Sequence, residues 1–368
     1  MLEKNVELNG KTILVTGAAG FIGANLILKL LQEYNELHVV GLDNMNSYYA
    51  VSLKEYRLNG INKLLDSVNG KFSFLQCNIA DKEAVISIFA EYRPDIVVNL
   101  AAQAGVRYSI DHPDAYMESN LMGFYNILEA CRHSYDSGEK GVEHLIYASS
   151  SSIYGNNDKI PYSTEDRTDR PVSLYAATKK ANELMAYAYS KLYKIPATGL
   201  RFFTVYGPAG RPDMAYFSFT DKLVRNEKIR IFNYGNCKRD FTYIDDVTTG
   251  LVEVMQRRPL PDTTEVQHKV YNIGNSHQEN LLDFVRILQS ELIRAGVLPE
   301  DHDLDACMEL VEMQPGDVET TYADTSELEQ DMGFKPATDL RTGLRSFAEW
   351  YNTRLNCYQE KAENREYC

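Results

Sequence analysis

Lys11-Thr-Ile-Leu-Val-Thr-Gly-Ala-Ala-Gly-Phe-Ile-Gly23 is the stretch on which the reading of this chain turns. An apolar run from Lys11 to Thr16 reads as a buried strand. Glycines at 17, 20 and 23 follow, and Phe21 to Tyr34 reads as a helix with Ile22, Leu26, Leu30 and Tyr34 close to one face. Strand, glycine turn and helix in that order meet three demands of a dinucleotide site. The turn must be tight, the backbone must approach a pyrophosphate, and the helix must pack close to the sheet. The helix N-terminus then offers free N–H groups and a partial positive charge to the phosphates. Glycines alone would also suit an ordinary tight turn. Asp43 adds to them: it lies 20 residues after Gly23, at the end of the next apolar run, where an acid grips ribose hydroxyls and repels a 2′-phosphate. The expected cofactor is therefore NAD and not NADP.

Outward from this turn the alternation continues. Leu37–Leu42, Phe72–Gln76, Asp95–Leu100, His144–Ser149 and Ala197–Phe203 read as strands. Asp81–Tyr92, with Asp81 as N-cap, Asn120–Arg132 and Tyr175–Tyr193 read as helices. The pattern predicts an α/β fold, a Rossmann-type doubly wound parallel sheet covered on both faces. After about residue 204 the alternation weakens, and Pro208, Gly210 and Pro212 mark a loop. A smaller mixed α/β domain is expected beyond it. It takes in a strand at Ile229–Phe232 and helices at Asp245–Arg257 and Leu281–Ala295.

The 368 residues include 38 Lys+Arg and 52 Asp+Glu, and 38 − 52 gives a net charge of −14. That charge disfavours nucleic acid or an anionic membrane as the main partner. The six cysteines are scattered with no CxxC pair, and the seven histidines show no HxxxH or HExxH spacing, so neither a disulfide framework nor a metal site is expected. Met1–Gly10 carries Glu3, Lys4 and Glu7 in place of an apolar run, which does not fit a signal peptide, and the expected location is the cytoplasm.

Tyr175-Ala-Ala-Thr-Lys179 places a phenol and an ammonium at i and i+4 of a predicted helix, on one face. A nearby cation stabilises phenolate, and oxidised nicotinamide would add a second positive charge, so Tyr175 is a candidate general base. Upstream, Ala148-Ser-Ser-Ser-Ser152-Ile-Tyr-Gly155 sets a serine cluster at the C-terminal end of a strand, the side on which open α/β sheets bind ligands. Ser150 there can hold the reacting oxygen together with Tyr175.

TGAAGFIG, the serine run, YxxxK and Arg201-Phe-Phe-Thr-Val-Tyr-Gly-Pro208 together resemble the extended short-chain dehydrogenase/reductase superfamily, from about Lys11 to about Phe347. Ala101-Ala-Gln-Ala-Gly-Val-Arg-Tyr-Ser109, Gly210-Arg-Pro-Asp-Met214 and Met313-Gln-Pro-Gly-Asp317 look most like UDP-glucuronate 4-epimerases. The resemblance implies NAD-dependent 4-epimerisation of a UDP-sugar through a 4-keto intermediate, with UDP-glucuronate and UDP-galacturonate as the pair. Tyr175 would be the base, Lys179 its partner and Ser150 the assisting hydroxyl. Gly17, Gly20, Phe21, Ile22, Gly23, Asp43, Asn44, Asn78, Ile79, Leu100, Ala101, Ala102, Asn120, Tyr175, Lys179 and Phe202 would hold NAD. Asn78 stands where relatives usually carry Asp. Arg107, Ser150, Ser151, Ser152, Thr204, Arg211, Arg239 and Asp317 would face the sugar nucleotide, with Arg239 on the diphosphate. Residues 1–203 would form the NAD-binding domain, rejoined by part of 236–260, and 204–368 mainly the substrate domain. A homodimer through the helices near Asn120–Arg132 and Tyr175–Tyr193 is the family expectation.

Three enzyme alternatives stay open at this point: a 4-epimerase of a neutral UDP-hexose, a UDP-glucuronate decarboxylase and a nucleotide-sugar 4,6-dehydratase. The last two tend to carry Thr followed by an acid in the serine-run position, whereas Ile153 follows Ser152 here. A non-catalytic NAD-sensing scaffold is a fourth, set against the retention of Ser150, Tyr175 and Lys179.

Overall fold

The computed structural model of the chain describes residues 1–136, 138, 140–313 and 318–364, with side chains to residue 354. Helices of seven residues or more are numbered. The first half runs β1 (Thr12–Thr16), α1 (Phe21–Glu33), β2 (His38–Asp43), α2 (Val51–Leu64), β3 (Lys71–Gln76), α3 (Lys82–Tyr92), β4 (Ile96–Asn99), α4 (Gly123–His133), β5 (His144–Ser150), α5 (Leu174–Tyr193) and β6 (Ala197–Phe202). The second runs β7 (Thr204–Tyr206), α6 (Ala215–Val224), β8 (Ile229–Ile231), β9 (Lys238–Arg239), β10 (Phe241–Tyr243), α7 (Ile244–Met255), β11 (His268–Ile273), β12 (Glu279–Asn280), α8 (Leu281–Arg294), β13 (Met308–Leu310), α9 (Ser326–Met332) and α10 (Leu340–Asn364).

The expected doubly wound parallel sheet is observed. Its seven strands lie in the order β11-β6-β5-β4-β1-β2-β3, and every pairing is parallel. Chain order reverses between β1 and β4, which opens a crevice at the C-terminal ends of the strands. Both faces are covered, which is why the strands are apolar without a polar alternation. Ile13 and Val15 face one core with Leu26, Ile27 and Leu30 of α1 and Val247 and Leu251 of α7. Leu14 faces the other, with Val40, Val97, Ile127 and Leu128. A third core joins Tyr206, Tyr216, Phe241, Phe284, Leu288, Leu344 and Phe347 in the second half.

Local chemistry sets the helix starts. Asp81 caps α3 by accepting the Ala84 N–H (3.0 Å), and Ser173 caps α5 by accepting the Ala176 N–H (3.1 Å). The helix expected from Asn120 becomes regular only at Gly123, because a wide i→i+5 turn over Met117–Met122 precedes it. Among the described residues no helix is long and apolar enough to cross a membrane.

Candidate active site

A cavity of about 910 Å³ occupies the crevice. Its wall brings together Gly17, Gly20, Phe21, Ile22, Gly23, Asp43, Asn44, Asn78, Ile79, Leu100, Ala101 and Ala102 with Arg107, Ser150, Ser151, Ser152, Tyr175, Lys179, Phe202, Thr204, Arg211 and Arg239. Asp317 lies outside the described residues. Asn120 is placed behind the wall. Its amide donates to Gln103 O (3.0 Å) and Thr178 Oγ1 (3.1 Å) and accepts from Gln103 N (2.8 Å), so it braces the wide turn against α5.

The glycine turn fits a dinucleotide. Gly17 sits at φ +70°, and a Cβ there would lie 2.9 Å from the Ala101 nitrogen. A Cβ on Gly23 would fall 2.2 Å from the Gly17 oxygen, so the first turn of α1 approaches β1 only because that side chain is absent. Gly20 heads α1 with no side-chain cap, which leaves the helix N-terminus to a ligand. Asp43 closes the far side. Its carboxylate accepts from Ala19 N (3.2 Å) and Met45 N (2.9 Å) and pairs with Lys54 Nζ (3.2 Å). Asn78 is engaged on both sides of its amide, donating to Glu118 Oε1 (2.7 Å) and accepting from Ala80 N (3.0 Å).

Tyr175 and Ser150 both line this cavity, with the Ser150 hydroxyl placed to act on the phenol. Burial raises the Tyr175 phenol, and the Ser150 hydroxyl and the charge of Arg211 oppose that rise. The sequence reading placed Lys179 as the cation beside the phenol. In the structure Lys179 Nζ donates to Ala148 O (2.9 Å) on β5, and burial lowers it to about 8. Arg211, which tertiary folding brings in from the loop before α6, adds a positive charge that acts on the phenol. Strong local partners fix the surroundings. Ser150 Oγ accepts from Ser152 N (3.2 Å), and Ser149 Oγ donates to Glu183 Oε1 (2.7 Å) on α5. Glu183 in turn forms a two-pronged pair with Arg201 of β6, at 2.8 and 3.0 Å.

On the remaining wall, Arg211 Nε donates to Asp213 Oδ1 (3.0 Å), and Tyr48 Oη donates to Asp213 Oδ2 (3.2 Å). Burial works against the charged form of Arg211, but Asp213 outweighs it and holds the guanidinium well above its ordinary value. Arg107 lies over the Phe232 ring (4.7 Å), Arg239 donates to the Lys238 and Glu319 carbonyls (3.0 and 2.9 Å), and Thr204 N donates to Asp240 O (3.2 Å). Lys54, Tyr48 and Asp213 are residues of this site that sequence reasoning passed over. They sit in stretches without motif or periodicity, and only the Asp in Gly210-Arg-Pro-Asp-Met214 offered any signal. Among the described residues no group of three or more His, Cys, Asp or Glu could hold a metal.

Comparison with known proteins gives a consistent picture. A family model described as GDP-mannose 4,6 dehydratase matches residues 14–347. Protein CapI of Staphylococcus aureus is 45% identical over 350 residues, covering 92% of this chain and 98% of that protein. UDP-glucuronate 4-epimerase 4 of Arabidopsis thaliana is 42% identical over 359 residues, covering 93% of this chain and 76% of that protein. The crystal structure of UDP-glucuronic acid 4-epimerase from Bacillus cereus, in complex with UDP-glucuronic acid and NAD, superposes with a TM-score of 0.78 at 32% identity over 94% of this chain and 99% of that one. With the parallel sheet, the glycine turn and the Ser150–Tyr175–Lys179 group in place, this chain belongs to the extended short-chain dehydrogenase/reductase family that the GDP-mannose 4,6 dehydratase model describes.

Proposed function

We propose that the protein is an NAD-dependent UDP-sugar 4-epimerase whose substrate pair is UDP-glucuronate and UDP-galacturonate. The observation that carries this reading is the convergence of Tyr175, Ser150 and Lys179 on one cavity shared with the glycine turn, Asp43 and Arg211. Tyr175 accepts the proton of the sugar 4-hydroxyl and later returns it, and Ser150 holds the same oxygen. NAD, which Gly17, Gly20, Gly23 and Asp43 would hold, would supply the hydride acceptor and donor for C4 when bound. Arg239 and the nucleotide end anchor the molecule, so the sugar is free to present both faces. Burial keeps the Tyr175 phenol raised, Ser150 and the Arg211 charge oppose that rise only in part, and the positive charge of bound oxidised NAD would favour phenolate further.

A uronate adds a hazard. Oxidation at C4 puts the carboxylate β to a carbonyl, the arrangement that loses carbon dioxide. Arg211, Ser151, Ser152 and Thr204 are the groups on this wall that would grip the carboxylate away from the cleavage geometry. Ile153 after the serine run supplies no acid, which sets the site apart from the decarboxylase and dehydratase pattern. The deciding experiment incubates purified protein with UDP-glucuronate and no added cofactor, and reads the product by NMR. UDP-galacturonate is expected; UDP-pentose with carbon dioxide would move the assignment to a decarboxylase. Tyr175→Phe is expected to abolish turnover while NAD stays bound.

Residues 1–203, with part of 236–260, serve NAD in this reading, and 204–368 mainly serve the UDP-sugar. The working form is a homodimer through α4 and α5. Leu184 and Leu192 are 61% and 68% exposed and available to a partner, whereas Met185 and Tyr189 pack inward. The cytoplasm suits Cys77, Cys131, Cys237 and Cys307, which are unpaired among the described residues.

A further inference from the structure

Arg57 of α2 is 3% exposed and carries no role in the chemistry above. Its guanidinium reaches two separate parts of the site at once. Nη1 donates to Ala19 O (2.9 Å), within the glycine turn, and to Tyr49 Oη (2.7 Å). Nε donates to Ala209 O (2.9 Å) and Nη2 to Gly210 O (2.9 Å), the two residues immediately before Arg211. Four of the five guanidinium N–H groups are thus committed, in a fork that Lys or Gln cannot reproduce.

The loop it holds needs holding. Ala209 sits at φ +53°, a conformation that L side chains with a Cβ adopt rarely. Gly210 leaves no room for adjustment, since a Cβ there would lie 1.7 Å from Tyr216 Oη. Such backbone persists where its surroundings over-determine it. One turn earlier on the same helix, Lys54 pairs with Asp43. Helix α2 therefore presents two cations, at i and i+3, to the cofactor side, and Arg57 of the two also reaches the loop carrying Arg211.

We infer that Arg57 is a positioning residue: it fixes the 209–210 backbone against the glycine turn and thereby aims Arg211 at an acidic group on the sugar, setting preference for a uronate over a neutral hexose. This rests on the UDP-glucuronate reading of the site. It predicts a selective effect, because a misplaced Arg211 weakens the hold on the carboxylate and leaves the nucleotide contacts alone.

The test uses the full chain with its retained NAD. Binding of UDP-glucuronate and of UDP-glucose is measured by calorimetry for wild type, Arg57→Gln, Arg57→Lys, Arg211→Ala and Arg57→Gln/Arg211→Ala, with NAD content checked in each. The expected result is that both Arg57 variants retain NAD and lose about tenfold in affinity for UDP-glucuronate, with less than about twofold change for UDP-glucose. Arg57→Gln should add little on the Arg211→Ala background. Equal losses for both sugars, or losses that add to those of Arg211→Ala, would overturn the inference. So would failure of both Arg57 variants to fold, which would reduce the arginine to a stabilising role. If wild type itself fails to prefer the uronate, the reading of the whole site is at fault; if wild type prefers it and the variants keep that preference, only the role of Arg57 falls.

Discussion

Replacing Arg201 by Met strands a carboxylate on the buried face of α5, the helix that carries Tyr175. The Arg201–Glu183 pair is two-pronged, with side chains only 4% and 5% exposed. After the change Glu183 keeps the Ser149 hydroxyl (2.7 Å) and Lys180 Nζ (3.2 Å), and loses both guanidinium bonds. Breaking a buried pair on one side costs about 3–5 kcal/mol, since an uncompensated charge remains. With an unfolding entropy of about 2.1 cal/mol/K per residue over 368 residues, that corresponds to a Tm lowered by roughly 4–6 °C. Glu183→Leu should cost about as much, while the double variant Glu183→Leu/Arg201→Met should be no worse than either single change. The pair also has a pH signature. Burial pushes the Glu183 carboxyl up, but Arg201, Ser149 and Lys180 outweigh it and hold it below 4.5. A depressed folded value means the stabilisation is complete above pH 4.5 and is lost as pH falls through the folded value. Denaturant midpoints at pH 7 and pH 4, compared between wild type and the double variant, measure this. A loss under about 1 kcal/mol for Arg201→Met, or a double variant as poor as the sum of the singles, would refute the reasoning.

Gly23→Ala drives a methyl to 2.2 Å from the Gly17 oxygen, backbone against backbone, and is expected to destabilise by about 1–3 kcal/mol and to strip NAD from the purified protein, read from the bound-nucleotide content; unchanged content would argue against the turn as the pyrophosphate seat. Lys179, lowered by burial to about 8 from 10.5, should release its proton near pH 8 in NAD-free protein. Because the folded value lies below the unfolded one, folding disfavours the charged form, and stability should rise from about pH 8 to 10.5. Carbon-13 NMR of labelled lysine εCH₂ groups checks this: one resonance titrating near pH 8 and absent from Lys179→Met is expected, and a Lys179 resonance that holds until above pH 10 would refute it. Leu184→Glu/Leu192→Glu should convert a dimer to a monomer in sedimentation, and a wild type already monomeric at micromolar concentration would remove the proposed dimer.

Several long-range features left no mark in the sequence. Strand β11 follows the weakly patterned second half, and its pairing with β6 depends on contacts about 70 residues apart. Helix α2 has only a weak apolar stripe because one face is given to Lys54 and Arg57, so its periodicity is obscured by the charges that make it useful. The YxxxK spacing correctly put Tyr175 and Lys179 on one helix, yet spacing says nothing about which carbonyl an ammonium finds, and Lys179 found Ala148. Asn120 kept its place near the site but spends its amide on Gln103 and Thr178.

What the linear order of residues determined is what short-range geometry enforces: the glycine turn between a strand and a helix, Asp43 at the end of the next strand, the serine run at a strand terminus and the phenol–ammonium pair one helical turn apart. Each is set by the 3.6-residue turn of a helix, the reach of a strand or the missing Cβ of a glycine. Only the tertiary structure decided that Arg211 shares the cavity with Tyr175, that Arg201 locks Glu183, and that Arg57 joins the glycine turn to a loop more than 150 positions away. Those pairings arise from the closing of the sheet and the folding of the second half over the crevice, and no local period encodes them.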